Sequence, residues 1–398
     1  MLNWRRNLWT LSFAVMLSGS SYTMVIPFLP LYLLEIGVSP ENVTIWSGAI
    51  FSVSFLVGAV MAPYWGRQAD KTGKRRMIMR AGFSLAIVYF LGAFVRNPVE
   101  LLIVRILQGF ANGFVPASMA VVASSVPADK MGSSLGFMQA ALLIGGILGP
   151  LIGGGLAHFF GMRLSFVIAA VVIFLATLAV GFFVTEPEKS STPGESSIKD
   201  DLKMAFSNPK LVKMLLLLFT VQVISMILQP LITLYVAQLQ GTMEGAVLAA
   251  GIVYSLAGVA GAIAAPTWGR SGQKRGFRKI MSIAFLGAGI FNLGQFFVAD
   301  IYKFAVLQFC FGFFIVGVYP AINTIIVNCT DRNSQGRIFG LTTTANQLGS
   351  MIGPLLGGVI SSWIGIRPVF LFTGTALLML GLIIFVSCFS KPVADHLN

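Results

Sequence analysis

The sequence predicts an all-α membrane protein in which twelve transmembrane helices form two pseudo-symmetric six-helix bundles. Hydrophobic residues make up 56% of the 398 residues and charged residues only 10%. Soluble domains are about 45–50% apolar and about 25% charged. Apolar runs of about 20 residues, the length that crosses a bilayer as a helix, recur from end to end. These runs are continuously apolar and do not alternate, which favours helices over a membrane β-barrel.

An internal repeat predicts the two halves. The stretch PYWGRQADKTGKRR, which begins at Pro63, returns as PTWGRSGQKRGFRK at Pro266, an offset of 203 residues. Likewise, GILGPLIGG returns as SMIGPLLGG later in the chain. Parallel repeats of six helices, related by an axis along the membrane normal, build one large class of transporters. We therefore predict an N-terminal six-helix bundle at 1–185, a cytoplasmic linker at 186–209 and a C-terminal six-helix bundle at 210–398.

Each predicted span is an apolar run bounded by prolines, glycines or charged residues. The first run is too long for a signal peptide and lacks a cleavage site, so it is expected to remain as a span. The stretch from Pro63 to Arg76 is expected to be a short basic loop between the second and third spans, with Gly66 and Gly73 allowing close approach and tight turning. The twelve predicted spans are 8–34, 43–65, 77–95, 99–125, 132–158, 163–185, 210–237, 246–268, 278–298, 303–328, 335–362 and 367–389.

The basic residues predict the orientation. The formal net charge is +13, and 22 of the 27 Lys and Arg residues fall in the termini and alternate loops of one side. Four lie in the opposite loops, and Arg105 lies inside a span. This positive-inside pattern predicts that both termini are cytoplasmic. It also accounts for the net charge without a nucleic-acid partner.

Several chemistries are not supported by the sequence. The three cysteines have no metal-binding spacing, and neither of the two histidines has a plausible catalytic acid as its partner. No phosphate-binding GxxxxGK[ST] loop occurs, so ATP-driven transport is not expected. We predict no enzyme activity, no metal and no cofactor. Short termini and tight loops indicate a bacterial inner (cytoplasmic) membrane.

One polar stripe in the fourth predicted span is a candidate site. Arg105 is the only ionisable residue deep within a span, and Gln108 and Asn112 follow at helical spacing. A charge in the hydrocarbon costs about 2.5–3.5 kcal/mol on insertion scales, so Arg105 is expected to face a polar cavity or a partner. Gln222 and Gln229 repeat the spacing in the seventh span. The glutamines could equally join helices by hydrogen bonds, and both readings stay open for them.

Four motifs in register along the whole chain resemble those of the major facilitator superfamily. Arg105-Ile-Leu-Gln108-Gly109 resembles its arginine motif, and the prolines at 27 and 30 match the first helix of its twelve-span drug–proton antiporter branch. Within that branch the sequence is most similar to bacterial multidrug and fluoroquinolone exporters. The loop signature matches at Gly66, Asp70, Gly73, Lys74 and Arg75, and the fifth-helix antiporter motif matches at Gly145, Gly149, Pro150, Gly153 and Gly154.

The resemblance implies roles for these positions. It places spans 1, 4, 7 and 10 around a central cavity, and it makes Asp70 a cytoplasmic gate between the halves. The repeated loop has Gln273 in place of Asp70, so one gate only is expected to be charged. The expected cavity residues are Tyr22, Met24, Arg105, Gln108, Asn112, Gln222, Met226, Gln229, Tyr319 and Asn323.

The expected function is export of small amphipathic compounds or drugs, in exchange for protons, by rocker-switch alternating access. The energy source would be the proton gradient, and the protein is expected to be a monomer among membrane lipids. No acidic residue lies mid-membrane in the predicted spans, so Asp70 and Glu35 are the proton-coupling candidates. The alternatives are a same-fold exporter of a sugar or metabolite, a glycolipid flippase and a non-transporting receptor. Short loops argue against the receptor.

Overall fold

The structure is a computed structural model, which describes residues 4–186, 208–328 and 335–389. Nearly all of the described residues are helical. Nine helices or continuous helix pairs within these ranges are long and apolar enough to cross a membrane, and a bent pair at the start of the chain makes a tenth. Lys74–Gly92 and Gln335–Ile364 are further long helices at the positions of the predicted third and eleventh spans. The predicted all-α, multi-pass membrane fold is confirmed, and the helix order is consistent with twelve spans.

The spans of the first half follow the prediction closely, except for the second. They are Trp4–Met24 with Leu29–Glu35, Val43–Thr72, Lys74–Gly92, Pro98–Ala111 with Phe114–Ser125, Met131–Phe160 and Met162–Phe183. Those of the second half are Pro209–Ile227 with Ile232–Gln240, Ala246–Arg275, Phe277–Phe296, Ile301–Ile315 with Val318–Asn328, Gln335–Ile364 and Ile366–Phe389. The predicted linker lies outside the described residues apart from its ends.

The second, fifth, eighth and eleventh spans are each 30 residues long and contain an interior proline. At 1.5 Å per residue such a helix is about 45 Å long, well beyond the roughly 30 Å hydrocarbon layer. The expectation of a basic loop from Pro63 to Arg76 was therefore wrong. Pro63 to Thr72 continue the second helix, and Gly73 alone separates it from the next helix. The prediction took the proline and the charged residues as signals that end a helix. A helix longer than the hydrocarbon layer can instead contain both near its end.

Single glycines make the turns after these long helices. Gly73 and Gly276 have φ values of 102° and 87°, and Gly161 and Gly365 have 86° and 83°. Residues with a Cβ rarely adopt this backbone region, so a one-residue turn of this shape requires glycine. Both pairs of glycines occupy matching places in the repeat, which confirms at the backbone level that the two halves share one design.

Four spans are interrupted, and they are the first, fourth, seventh and tenth. The first bends by 46° between its two helices. A proline lies in or just after each interruption: Pro27, Pro116, Pro230 and Pro320. Proline lacks the N–H that the helix needs and frees a carbonyl one turn earlier. Irregular backbone at membrane depth is tolerated where it is buried in protein or lines a water-filled cavity. These four spans are the ones expected to line the transport cavity.

Contacts divide the chain into two compact units, Met1–Glu195 with Pro230–Ser255, and Ser196–Gln229 with Leu256–Asn398. The second unit has an apolar core that includes Leu218, Met281, Phe285, Val318 and Ile322. The division by contacts does not follow the repeat, so the predicted bundle boundaries at 185 and 210 stay predictions.

Candidate functional site

Arg105 lies at the centre of a buried polar network in the first half. Its side chain is 3% exposed, and its Nη1 donates a hydrogen bond to Gln108 Oε1, one turn along the same helix. Gln108 Nε2 in turn donates to the hydroxyl of Tyr89 in the third span, at 3.1 Å. The guanidinium also faces the ring of Phe51, 5.6 Å from its centroid. The structure thus brings together Arg105 and Gln108 as predicted, and it adds Tyr89 and Phe51.

The positive charge of Arg105 has no acidic partner in the part of the chain that the structure describes. No Asp or Glu side chain lies within ion-pair distance, and Arg105 Nε is buried without a hydrogen-bond partner. Neutral amide, hydroxyl and ring groups disperse the charge but do not cancel it. An unneutralised cation at this depth is costly, and such residues mark substrate or ion pathways in membrane proteins.

Asn112 does not join this network, although its spacing predicted that it would. The helix ends at Ala111, and Asn112 follows in a non-helical conformation with its side chain exposed. Its Oδ1 accepts a hydrogen bond from the backbone N–H of Gly113 at 2.8 Å. The prediction of one continuous polar face was wrong here because the fourth span breaks before the next turn is complete.

The second half contains a neutral polar network on the seventh, tenth and eleventh spans. Gln222 Nε2 donates to Ser350 Oγ at 2.9 Å, and the Tyr319 hydroxyl donates to Gln222 Oε1 at 3.0 Å. Tyr319 also lies 3.4 Å from Ser225 Oγ. Gln222 and Tyr319 were both predicted cavity residues, and the structure places them in direct contact.

The remaining predicted cavity residues have separate environments. Gln229 lies beyond the end of its helix at Ile227, as Asn112 does in the first half, so the predicted stripe is interrupted there too. Tyr22 makes an edge-on contact with the ring of Phe55, with centroids 6.3 Å apart. Asn323 is exposed. Met24 and Met226 contact glycines of the fifth and eleventh spans, which gives them packing roles whatever else they do.

The fifth-helix glycine motif produces very close helix packing within the first unit. A Cβ at Gly145, Gly149 or Gly153 would lie within 2.6 Å of a backbone carbonyl oxygen of the first span. A Cβ at Gly154 would lie 2.8 Å from the carbonyl oxygen of Val247 in the eighth span. On the partner helix, a Cβ at Gly251 would lie 2.4 Å from the carbonyl oxygen of Pro150. Small residues at this spacing permit the contact between helix backbones, which is the packing role that small-xxx-small motifs have in membranes.

The gate motif is built differently from its prediction. Gly66 lies on an exposed helix face, and a Cβ there would meet no atom within 4 Å, so the expected close approach was wrong. Gly73 does make the turn, and a Cβ on it would lie 3.0 Å from Glu186 Oε2. Of the two motif glycines, only Gly73 therefore stands at a position where the backbone requires glycine.

Glu186 is a functional candidate that the sequence did not reveal. Its two carboxylate oxygens accept hydrogen bonds from the backbone N–H groups of Lys74 and Arg75, at 2.8 and 3.0 Å. A carboxylate at a helix N-terminus is stabilised by the free N–H groups and by the helix dipole. The Arg75 guanidinium donates to the carbonyl of Gly181 in the sixth span. Asn7 holds the same chain end by exchanging hydrogen bonds with the backbone of Thr185. The end of the sixth span is thus fastened to the gate motif.

The two proton-coupling candidates lie in exposed places. Asp70 is exposed in the last turn of the second helix, where the helix dipole disfavours a negative charge. It makes no ion pair with another described residue, so no ion pair stabilises its carboxylate against the helix dipole. Glu35, at the end of the first span, lies 3.7 Å from Arg163 Nε, and its side chain is 43% exposed. Exposed pairs of this kind contribute about 0–1 kcal/mol to stability.

Known proteins resemble the chain in sequence and in fold. The sequence profile of the Major Facilitator Superfamily matches residues 11–275 and 244–398. A multidrug resistance protein MdtG from Proteus mirabilis is 34% identical over 377 residues, 93% of each chain. The MdtG protein of Salmonella arizonae is 34% identical over 379 residues, 95% of this chain and 94% of that one.

Solved structures agree on the fold. The nucleoside transporter NupG superposes with a TM-score of 0.79 at 14% identity, covering 97% of this chain and 100% of that chain. A bacterial homologue of the human lysosomal transporter Spinster gives 0.81 at 14% identity, covering 96% of both. The family match and the multidrug resistance relatives show that the chain is a membrane transporter and not an enzyme. The chain belongs to the major facilitator superfamily, as its motifs predicted, and its resemblance to the multidrug branch is confirmed by the MdtG proteins.

Proposed function

We propose that this transporter exports small amphipathic compounds, drugs among them, in exchange for protons by rocker-switch alternating access. The observation that carries the proposal is Arg105, a buried charge on an interrupted span without an acidic partner among the described residues. The names of the MdtG relatives support multidrug export, and the fifth-helix glycine motif supports the antiport direction.

The chemistry around Arg105 favours certain solutes over others. The guanidinium provides a fixed positive charge, while Phe51 and Tyr89 provide aromatic surface and a hydroxyl. A solute with an apolar body and an acceptor or anionic group would complete the hydrogen bonding of the guanidinium. Neutral, zwitterionic or anionic compounds therefore fit this site better than cations do.

Proton coupling rests on Asp70 and Glu35, the two candidates outside the apolar parts of the spans. A proton-coupled exporter needs a carboxylate for which protons and substrate can compete. We place the protein in a bacterial cytoplasmic membrane, with both termini in the cytoplasm, as a monomer that uses the proton gradient and no cofactor. The asymmetry of the basic residues supports this orientation.

The test measures accumulation of ethidium and of norfloxacin in cells that express the protein, with and without a protonophore. Arg105→Ala is compared with Arg96→Ala, which removes an exposed arginine from a loop. We expect norfloxacin, a zwitterion, to be excluded by the wild type and by Arg96→Ala, and to accumulate in cells with Arg105→Ala or with a collapsed proton gradient. Ethidium, a cation, should be excluded less efficiently, because the positive charge of Arg105 disfavours it.

The outcomes separate the parts of the proposal. Equal accumulation in expressing and empty cells would contradict drug export and favour a metabolite or lipid substrate. Exclusion that survives the protonophore would contradict proton coupling alone. Normal export by Arg105→Ala would remove Arg105 from the site.

A further inference from the structure

The break in the fourth span leaves backbone carbonyls without their helical partners. The helix ends at Ala111, Gly113 follows with φ of 122°, and the next helix begins at Phe114. Pro116 has no N–H with which to reach the carbonyl of Asn112. The carbonyl of Phe110 likewise loses its helical donor because the chain changes direction before Phe114. Unpaired carbonyls inside a membrane protein are costly unless other donors reach them.

Arg80 and Trp65 supply these donors from two neighbouring spans. Arg80 Nη1 donates to the carbonyl of Phe110 at 3.2 Å, and Nη2 donates to that of Asn112 at 2.9 Å. Trp65 Nε1 donates to the Phe110 carbonyl as well, at 2.8 Å. The Arg80 guanidinium stacks on the Trp65 ring, 3.6 Å from its centroid. A planar guanidinium presents its N–H donors in a fixed fork, so it is well suited to bridging two carbonyls at once.

Among the described residues, no cation reaches the equivalent break in the tenth span. Trp268 Nε1 donates to the carbonyl of Phe313 at 2.7 Å, which reproduces the tryptophan contact of the first half. The residue in the place of Arg80 is Ile283, and the break passes through Val316 with an ordinary helical φ of −64°. A tryptophan therefore suffices for the milder break, whereas the sharper break carries an additional arginine.

Arg80 also stands midway along a helix that touches both functional elements of the first half. The helix Lys74–Gly92 begins at the gate motif, where Glu186 holds its first N–H groups. Arg80 holds the break in the fourth span, and Tyr89 meets Gln108 and hence Arg105 near the other end. The helix Lys74–Gly92 is thus attached to the end of the sixth span through Glu186 and to the fourth span through Arg80 and Tyr89.

We propose that Arg80 is a positioning residue for transport, which holds the two pieces of the fourth span in the geometry that presents Arg105 to the solute. Its guanidinium does this by bridging the carbonyls of Phe110 and Asn112 against the ring of Trp65. The role in transport rests on the proposed function, whereas the bridging of the break does not.

The test combines hydrogen–deuterium exchange with efflux kinetics on the purified full-length protein. Arg80→Ala and Arg80→Lys are compared with Ile283→Ala at the matching place of the second half. Exchange is followed in peptides that cover 109–118 and 310–320, and norfloxacin efflux is measured in reconstituted vesicles. We expect Arg80→Ala to accelerate exchange in 109–118 by about tenfold or more, because a charged donor to the two carbonyls at the break is lost. Arg80→Lys should be intermediate, and Ile283→Ala should leave 109–118 unchanged.

The kinetic expectation is a several-fold rise in the KM for norfloxacin with a smaller change in maximal rate, restored in part by Arg80→Lys. Unchanged exchange in 109–118, or acceleration of similar size in every helix, would overturn the positioning role. Unchanged KM together with faster local exchange would overturn its part in transport. If the wild type does not transport norfloxacin, the proposed function fails, and the exchange data still decide whether Arg80 holds the break.

Discussion

The fourth and tenth spans are two copies of one broken helix with different polar groups. In both copies a tryptophan from a neighbouring span donates to a carbonyl at the break, from Trp65 to Phe110 and from Trp268 to Phe313. Arg105, however, is matched by Gln308, which accepts a hydrogen bond from Gln295 Nε2 at 2.8 Å. Tyr89, which meets Gln108, is matched by Asn292, which donates to Thr373.

The difference shows which features the scaffold requires and which it does not. The break and its tryptophan are present twice, so they belong to the folding of the helix pair. The buried charge of Arg105 is present once, and its counterpart in the second half is the neutral Gln308. The second cationic donor, Arg80, is also present once, at the sharper of the two breaks. A charge that the fold does not need, kept where it is costly, is the mark of a functional group.

The largest expected effect comes from exchanging the two central residues. Arg105→Gln gives the fourth span the residue of the tenth, and we expect a folded protein that loses about tenfold to a hundredfold of its norfloxacin efflux, since a charged hydrogen-bonding group is gone. Gln308→Arg buries a second unpaired charge at a cost of about 2.5–3.5 kcal/mol or more. The yield of purified protein and its unfolding temperature in detergent should therefore fall for Gln308→Arg and not for Arg105→Gln. The opposite pattern would show that the charge of Arg105 serves the fold.

A second comparison concerns the turns after the second and eighth spans. Gly73→Ala and Gly276→Ala should each lower the free energy of unfolding by about 1–3 kcal/mol, because both glycines have positive φ. A Cβ at 73 would also press on Glu186 Oε2 at 3.0 Å, whereas a Cβ at 276 meets no atom within 4 Å. We expect Gly73→Ala to be the more destabilising of the two in thermal unfolding. Glu186→Ala combined with Gly73→Ala should reduce this difference; an unchanged difference would mean that Glu186 is not its source.

The last turns of the second and eighth spans give a third pair. Asp70→Asn should slow efflux by about tenfold, the size of one charge-assisted hydrogen bond, while norfloxacin binding is spared. Gln273→Asn shortens the side chain at the equivalent place without a change of charge, and efflux should stay normal. Binding is measured by equilibrium titration with norfloxacin and the rate by efflux from preloaded cells. Loss of binding in Asp70→Asn would place Asp70 in the solute site and not in a gate.

The smallest expected effect distinguishes the two tryptophans. Trp268→Phe removes the only described side-chain donor to the Phe313 carbonyl, at a cost of about 1 kcal/mol. Trp65→Phe should cost less, because Arg80 still donates to the Phe110 carbonyl. In thermal unfolding, Trp65→Phe with Arg80→Ala should then cost more than the two single changes added together. Strict additivity would show that the two donors do not substitute for each other.

Local sequence patterns predicted the spans, the repeat and the isolation of Arg105, because hydrophobicity and spacing are properties of neighbouring residues. They failed at Asn112 and Gln229, where helical periodicity was carried past a break. Pro116 and Pro230 stand just beyond those residues and were the available signal. The pattern also failed at Pro63, where a proline and a run of charges end the apolar stretch but not the helix. Arg80 lies within the predicted third span, 77–95, but it was one of the 22 basic residues counted on the cytoplasmic side because it follows the others so closely.

By itself, the sequence determined that this chain is a duplicated helical membrane protein with one buried charge. Membrane insertion depends on runs of apolar residues, and those can be read along the chain. Only the tertiary structure decided which groups surround that charge, and it placed Glu186 on Lys74, 112 positions away. It also set Arg80 against the carbonyls of the fourth span. Such contacts depend on how helices pack across the fold, and hydrophobic patterning leaves that open because many packings bury the same apolar faces.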